Sequence, residues 1–134
     1  MDLITSRRAL STAEHFTIAL IATYPEMSRT LSDLLQGTNI DLVDIYASFE
    51  RAVTAAREVE SRVDVILTRG GTGQYIKQVA SIPVISIPIS PFDLMISVSQ
   101  LSPEVERIAF INYQRAIFGT QQIEQLFHKQ IFSL

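Results

Sequence analysis

At 134 residues, the chain is long enough for one compact domain that buries a core without staples. A net charge of −3 and a calculated pI of about 5.3 give no electrostatic footprint for direct nucleic-acid or anionic-membrane binding; the absence of cysteine excludes disulfides, thiolate nucleophiles and Cys-ligated zinc. No apolar run approaches membrane-spanning length, and residues 1–16 carry Arg7, Arg8, Glu14 and His15 with no apolar h-region, so a cytoplasmic location and no membrane partner are expected.

Residues 1–15 are weakly patterned, and a ligand-sensing α/β domain is expected over 16–134. The first predicted strand covers 17–22. Pro25 then suits a first helical turn, Met27, Leu31, Leu34 and Leu35 repeat at helical spacing, and Gly37 with Asn39 ends the helix. A second strand is predicted over 42–46, followed by Ser48 as a helix cap and the stripe Phe49, Ala52, Val53, Ala56 and Val59. The third, over 65–68, runs into Arg69-Gly70-Gly71-Thr72-Gly73, with a less clear helix behind it. After the fourth, over 84–87, Ser90-Pro91-Phe92-Asp93 combines an N-cap serine, an N1 proline and a capping-box-like acid. The fifth, over 108–111, precedes a looser stripe of Ile117, Ile123, Leu126 and Phe127. Residues 128–134 read as a helix end entering a sixth strand that stops almost as it starts, so truncation at the C-terminus is expected. The strands are rich in Val, Ile and Leu without strict alternation, as parallel strands buried on both faces require. The expected class is α/β: a three-layer α/β/α, doubly wound parallel sheet of about five strands, a flavodoxin-like or Rossmann-like lobe.

In such sheets, ligands sit beyond the carboxyl ends of the strands, where strand order reverses. The residues expected there are Thr23 and Tyr24, 68–73, 89–93, and Asn112, Tyr113 and Gln114. Arg69 is the only cation among them. Glycines at 70, 71 and 73 permit positive φ and close backbone approach, so successive N–H groups can converge on an anion beside the Arg69 fork. The plainer alternative is a tight turn that needs glycine for geometry alone. The stretch is neither a P-loop nor a dinucleotide fingerprint, lacking both spacings. Ser90 and Asp93 can contact ligand or simply cap a helix, and Asn112 and Tyr113 can donate to an acid or close a strand. His15 and His128 have no metal-ligand spacing. Asp41, Asp44 and Asp64 flank or begin strands. No catalytic set assembles, and no cofactor or metal is expected.

The segments Val65-Ile66-Leu67-Thr68-Arg69-Gly70-Gly71-Thr72, Ile82-Pro83-Val84-Ile85-Ser86-Ile87-Pro88-Ile89-Ser90-Pro91-Phe92-Asp93 and Ile108-Ala109-Phe110-Ile111-Asn112-Tyr113 resemble, in this order, the N-terminal sensor domain of the propionate-catabolism activators of the PrpR type. The resemblance implies a two-lobed receptor for a small organic acid such as 2-methylcitrate, at the front of an enhancer-binding transcription activator. It implies ligand contacts at Arg69, Gly70, Gly71 and Thr72, and further ones at Ser90, Asp93 and Asn112. It also implies that DNA, ATP and an alternative sigma factor are met only through other modules, an AAA+ ATPase and a helix-turn-helix, which this sequence does not contain. The second lobe of that family mostly follows the fifth strand and is expected to be largely missing here.

Homo-oligomerisation is expected, and two other readings stay open. One is a small enzyme acting on a phosphorylated or carboxylated metabolite, with Asp64 or Asp93 as base. The other is a ligand-free dimerisation domain using an exposed edge strand or the helix bearing Phe118 and Phe127. A signal-receiver domain is excluded, because Thr23 and Tyr24 stand where its acidic cluster belongs and Asn112 where its lysine belongs.

Overall fold

The computed structural model describes residues 15–111 and 119–134. Asn112, Tyr113, Gln114, Ile117 and Phe118 lie outside the described residues, as does the segment 1–14.

The most apolar strand sits in the middle. β1 (Phe16–Ala22) pairs in parallel with β2 (Ile40–Tyr46) on one side and β3 (Val65–Arg69) on the other, and β3 pairs with β4 (Val84–Ile87), giving the order β2-β1-β3-β4. Alternation along each strand divides the two faces. Ala19, Ile21 and Ile66 point towards α2 (Phe49–Val59) and α3 (Gly71–Lys77), where they bury Ala52, Ala56, Val59 and Ile76. The two alanines let α2 lie close to the sheet, and the fully buried Ile66 and Ile76 each contribute roughly 2 kcal/mol of transfer free energy. On the opposite face, α1 (Pro25–Leu35) packs over β1 and β2, and its Ser28 hydroxyl donates to the Asp44 carboxylate. The result is the expected doubly wound α/β class. α1 is shallowly seated: none of its residues is buried, and Leu34 is 72% exposed despite its place in the predicted stripe.

The chain then leaves this sheet, which among the described residues has four strands rather than about five. β5 (Arg107–Phe110) pairs in parallel with β6 (Gln130–Ser133) in a separate two-stranded sheet. α4 (Pro91–Ser99) and α5 (Thr120–Phe127) pack over it, burying Leu94, Val98 and Ile123 in a second core. Phe127 packs against that core, whereas Leu126 falls off the predicted stripe at 63% exposure. The terminal strand is therefore the partner of β5, not an edge of the main sheet. Lys129, itself buried, secures this pairing by donating from Nζ to the carbonyls of Ser102 and Val105 in the loop before β5.

Of the helix starts that Pro25, Ser48 and Ser90 signal in the sequence, one departs from the expected local chemistry. Pro25 occupies the first turn of α1, and Gly37 at φ +76° follows its end. Ser48 stands at the N-cap of α2, but its hydroxyl makes no cap bond, and the next residue, Phe49, is held at φ +46°. For an aromatic residue, that backbone conformation is strained.

Candidate functional site

β1 and β3 are adjacent, but their crossovers leave in opposite directions, so a crevice opens beyond their carboxyl ends. A cavity of about 740 Å³ lies there. Thr23 and Tyr24 line it from the end of β1, Ser48 and Phe49 from the end of β2, and Arg69 to Thr72 from the end of β3. Ile89, Asp93, Ile96, Ser97 and Ile111 close it from the side of the second core.

Five of the expected site residues, Arg69, Gly70, Gly71, Thr72 and Asp93, border this one cavity. Ser90 does not line it but holds Asp93, and Asn112 lies outside the described residues. The rim expected from sequence omits Ser48 and Phe49. Applying the strand-end rule to β2 finds their position, although nothing in the sequence signals the strain at Phe49.

Arg69 ends β3, and its side chain turns into the cavity with 28% exposure. Its Nη1 donates to the Tyr24 hydroxyl at 2.9 Å, and its Nη2 pairs with Asp93 Oδ1. These partners, Asp93 first, hold the guanidinium even more firmly protonated than usual, against the opposing effect of burial. The other Asp93 oxygen, Oδ2, accepts from the Ser90 N–H at 2.7 Å and the Ser90 hydroxyl at 2.8 Å, which completes a capping box at the start of α4. Arg69 and then the Ser90 N–H bring the Asp93 carboxyl down to about 2.

The glycine turn is built differently from a simple nest. Gly70 sits at φ +64°, and its N–H donates to the Ile87 carbonyl at 3.2 Å, so that donor is spent on joining β3 to β4. Its carbonyl accepts from the Gly73 N–H at 3.2 Å and from the Ser86 hydroxyl at 3.3 Å. The N–H groups of Gly71 and Thr72, at the first two positions of α3, have no intrahelical acceptor and face the same end of the sheet. Among the described residues, the chemistry on offer is one oriented cation, hydroxyls from Thr23 and Ser48, and an apolar wall; the Ser97 hydroxyl already donates to the Asp93 carbonyl at 2.8 Å.

A base is harder to find. Asp64 begins the turn into β3 at the amino end of the sheet, where its Oδ2 accepts from the Thr17 N–H at 2.7 Å, remote from the cavity. Asp93 is paired with a cation and, with its depressed pKa, is a weak base at neutral pH. His15 pairs with Asp41 at 3.3 Å, also at the amino end. Among the described residues no group of three His, Cys, Asp or Glu side chains is placed to hold a metal, and no helix is long and apolar enough to cross a membrane.

Asp93 also leaves a signature in acid. A carboxylate whose folded pKa lies below its unfolded value adds stability above the unfolded value, 3.8 here, and loses it as pH falls towards about 2. Because the Asp93 side chain is 36% exposed, solvent screening reduces this to about 1 kcal/mol. Urea titrations from pH 6 to pH 2 are expected to show wild type losing that increment relative to Asp93→Asn; parallel curves would show that the pair adds nothing to stability.

The chain is similar to known regulators. The family described as propionate catabolism activator matches residues 36–133. A crystal structure of an NtrC family transcriptional regulator from Clostridium acetobutylicum superposes with a TM-score of 0.82 at 31% identity, over 89% of this chain and 65% of that one. The chain thus spans slightly less than two thirds of that solved chain. With the family match covering most of its length, this chain belongs to the propionate catabolism activator family.

Proposed function

We infer that this domain senses a small organic acid resembling 2-methylcitrate, and that its occupancy controls an AAA+ ATPase and a DNA-binding module of the same regulator. The observation that carries the reading is Arg69, an oriented cation facing a cavity at the switch point of the sheet, with hydroxyls around it and, among the described residues, no competent base beside it. Membership of a transcription-activator family supports the rest. For the signal to pass, the acid must bind one arrangement of the domain more tightly than another, since only differential affinity shifts an equilibrium.

A thermal-shift panel of citrate, tricarballylate, succinate, phosphate and gluconate tests the site. A ligand at a hundredfold excess over its Kd stabilises by about 2.7 kcal/mol, which for a domain of this size is a rise of several degrees in Tm. The expected outcome is such a rise with the di- or tricarboxylates in wild type and none in Arg69→Ala. An equal response in both proteins would remove Arg69 from the site.

A further inference from the structure

The acid-sensing reading leaves open what a ligand carboxylate must displace at Arg69, and the geometry there supplies a competitor. Asp93 comes from α4, which packs on α5 in the second core, whereas Arg69 ends β3 in the main sheet. Their ion pair therefore ties the two cores together across the cavity that both residues line. The Asp93 carboxylate is also aimed: both Ser90 donors hold Oδ2, which leaves Oδ1 for Arg69. Among the described residues, Arg69 is the sole cation lining the cavity.

We propose that Asp93 is a built-in surrogate for the ligand's carboxylate, occupying the Arg69 fork until an incoming acid takes its place and unties α4 from β3. This deepens the acid-sensing reading and rests on it. The exchange replaces one carboxylate–guanidinium pair by another, so the first carboxylate of a ligand contributes little net affinity. Affinity must come from further carboxylates or hydroxyls that reach Thr23, Ser48 or the Thr72 N–H. The ligand class that crosses this threshold is a hydroxylated or multiply charged acid, and simple monocarboxylates fall below it. Displaced Asp93 keeps both Ser90 hydrogen bonds, so α4 remains capped while its tie to the sheet is lost.

The test is titration calorimetry with citrate at neutral pH on wild type, Asp93→Asn and Asp93→Glu. A competitor held by a partly exposed ion pair depresses apparent affinity by its occupancy, so Asp93→Asn is expected to bind citrate roughly fivefold more tightly. Asp93→Glu, which keeps the charge, is expected to stay near wild type. Should the asparagine variant fold poorly, Asp93→Ser removes the same charge and is expected to show the same gain. Weaker citrate binding in the neutral variants than in wild type would mean that Asp93 orients Arg69 for the ligand, and would overturn the surrogate role alone. No citrate binding in wild type or in either neutral variant would overturn the acid site and the surrogate together.

Discussion

Gly73→Ala is expected to destabilise the domain by about 2 kcal/mol, although the same change in an ordinary helix would stabilise it by about 0.5–1 kcal/mol. Gly73 lies within α3 with an ordinary helical backbone, so conformational freedom is not what it supplies. An added Cβ would stand 2.5 Å from Ser86 Oγ, 2.7 Å from Ser86 Cβ and 3.1 Å from Thr68 Cγ2. Ser86 is too short to swing aside, and its hydroxyl is engaged by the Gly70 carbonyl. The missing side chain is thus what lets α3 lie against β3 and β4. Urea unfolding measures the loss, and the double variant Gly73→Ala, Ser86→Gly is expected to recover part of it because the two sites share one contact. A stabilised single variant would show that α3 can lift off the sheet without cost.

Gly70→Ala is expected to cost 1–3 kcal/mol for the opposite reason. Here there is room: the nearest atom to an added Cβ is Ile89 Cδ1, at an ordinary 3.4 Å. The backbone, at φ +64° and ψ −144°, lies where side-chain-bearing residues are rarely found. Because the penalty belongs to the backbone, it is expected to persist when Ile89 is truncated to alanine, in contrast to the relief that Ser86→Gly brings to Gly73→Ala. Unchanged stability in Gly70→Ala would mean that the turn reaches the cavity by another conformation. The same substitution bears on binding, since the peptide after Gly70 sets where the first amides of α3 point.

These two glycines show what the sequence carried about the site and where it ran out. Arg69-Gly70-Gly71-Thr72-Gly73 is legible as a loop at a strand's carboxyl end, because the apolar run before it and the glycines within it are local signals. A cradle of converging N–H groups is the natural reading, yet the Gly70 N–H is spent on Ile87, and Gly73 is required by a β4 residue thirteen positions away in sequence. The same holds for Ser90 and Asp93. Their capping box is local and was foreseeable, whereas the Arg69–Asp93 pair joins residues whose proximity depends on how α4 leaves β4.

By itself the sequence determined the five strand positions in the βα series, the parallel class and the place of Arg69 at a strand's carboxyl end, because hydrophobic runs, caps and glycine turns are written in neighbouring residues. Only the tertiary structure decided that β5 abandons the sheet for β6, and that Arg69 meets Asp93 and Tyr24 across the cavity. The reason is physical. A four-residue apolar strand such as Arg107–Phe110 carries no mark of the partner it will pair with, and α4, whose Leu94 and Val98 pack with Ile123, commits the following chain to a second core. That commitment sets an acid from one core against an arginine from the other.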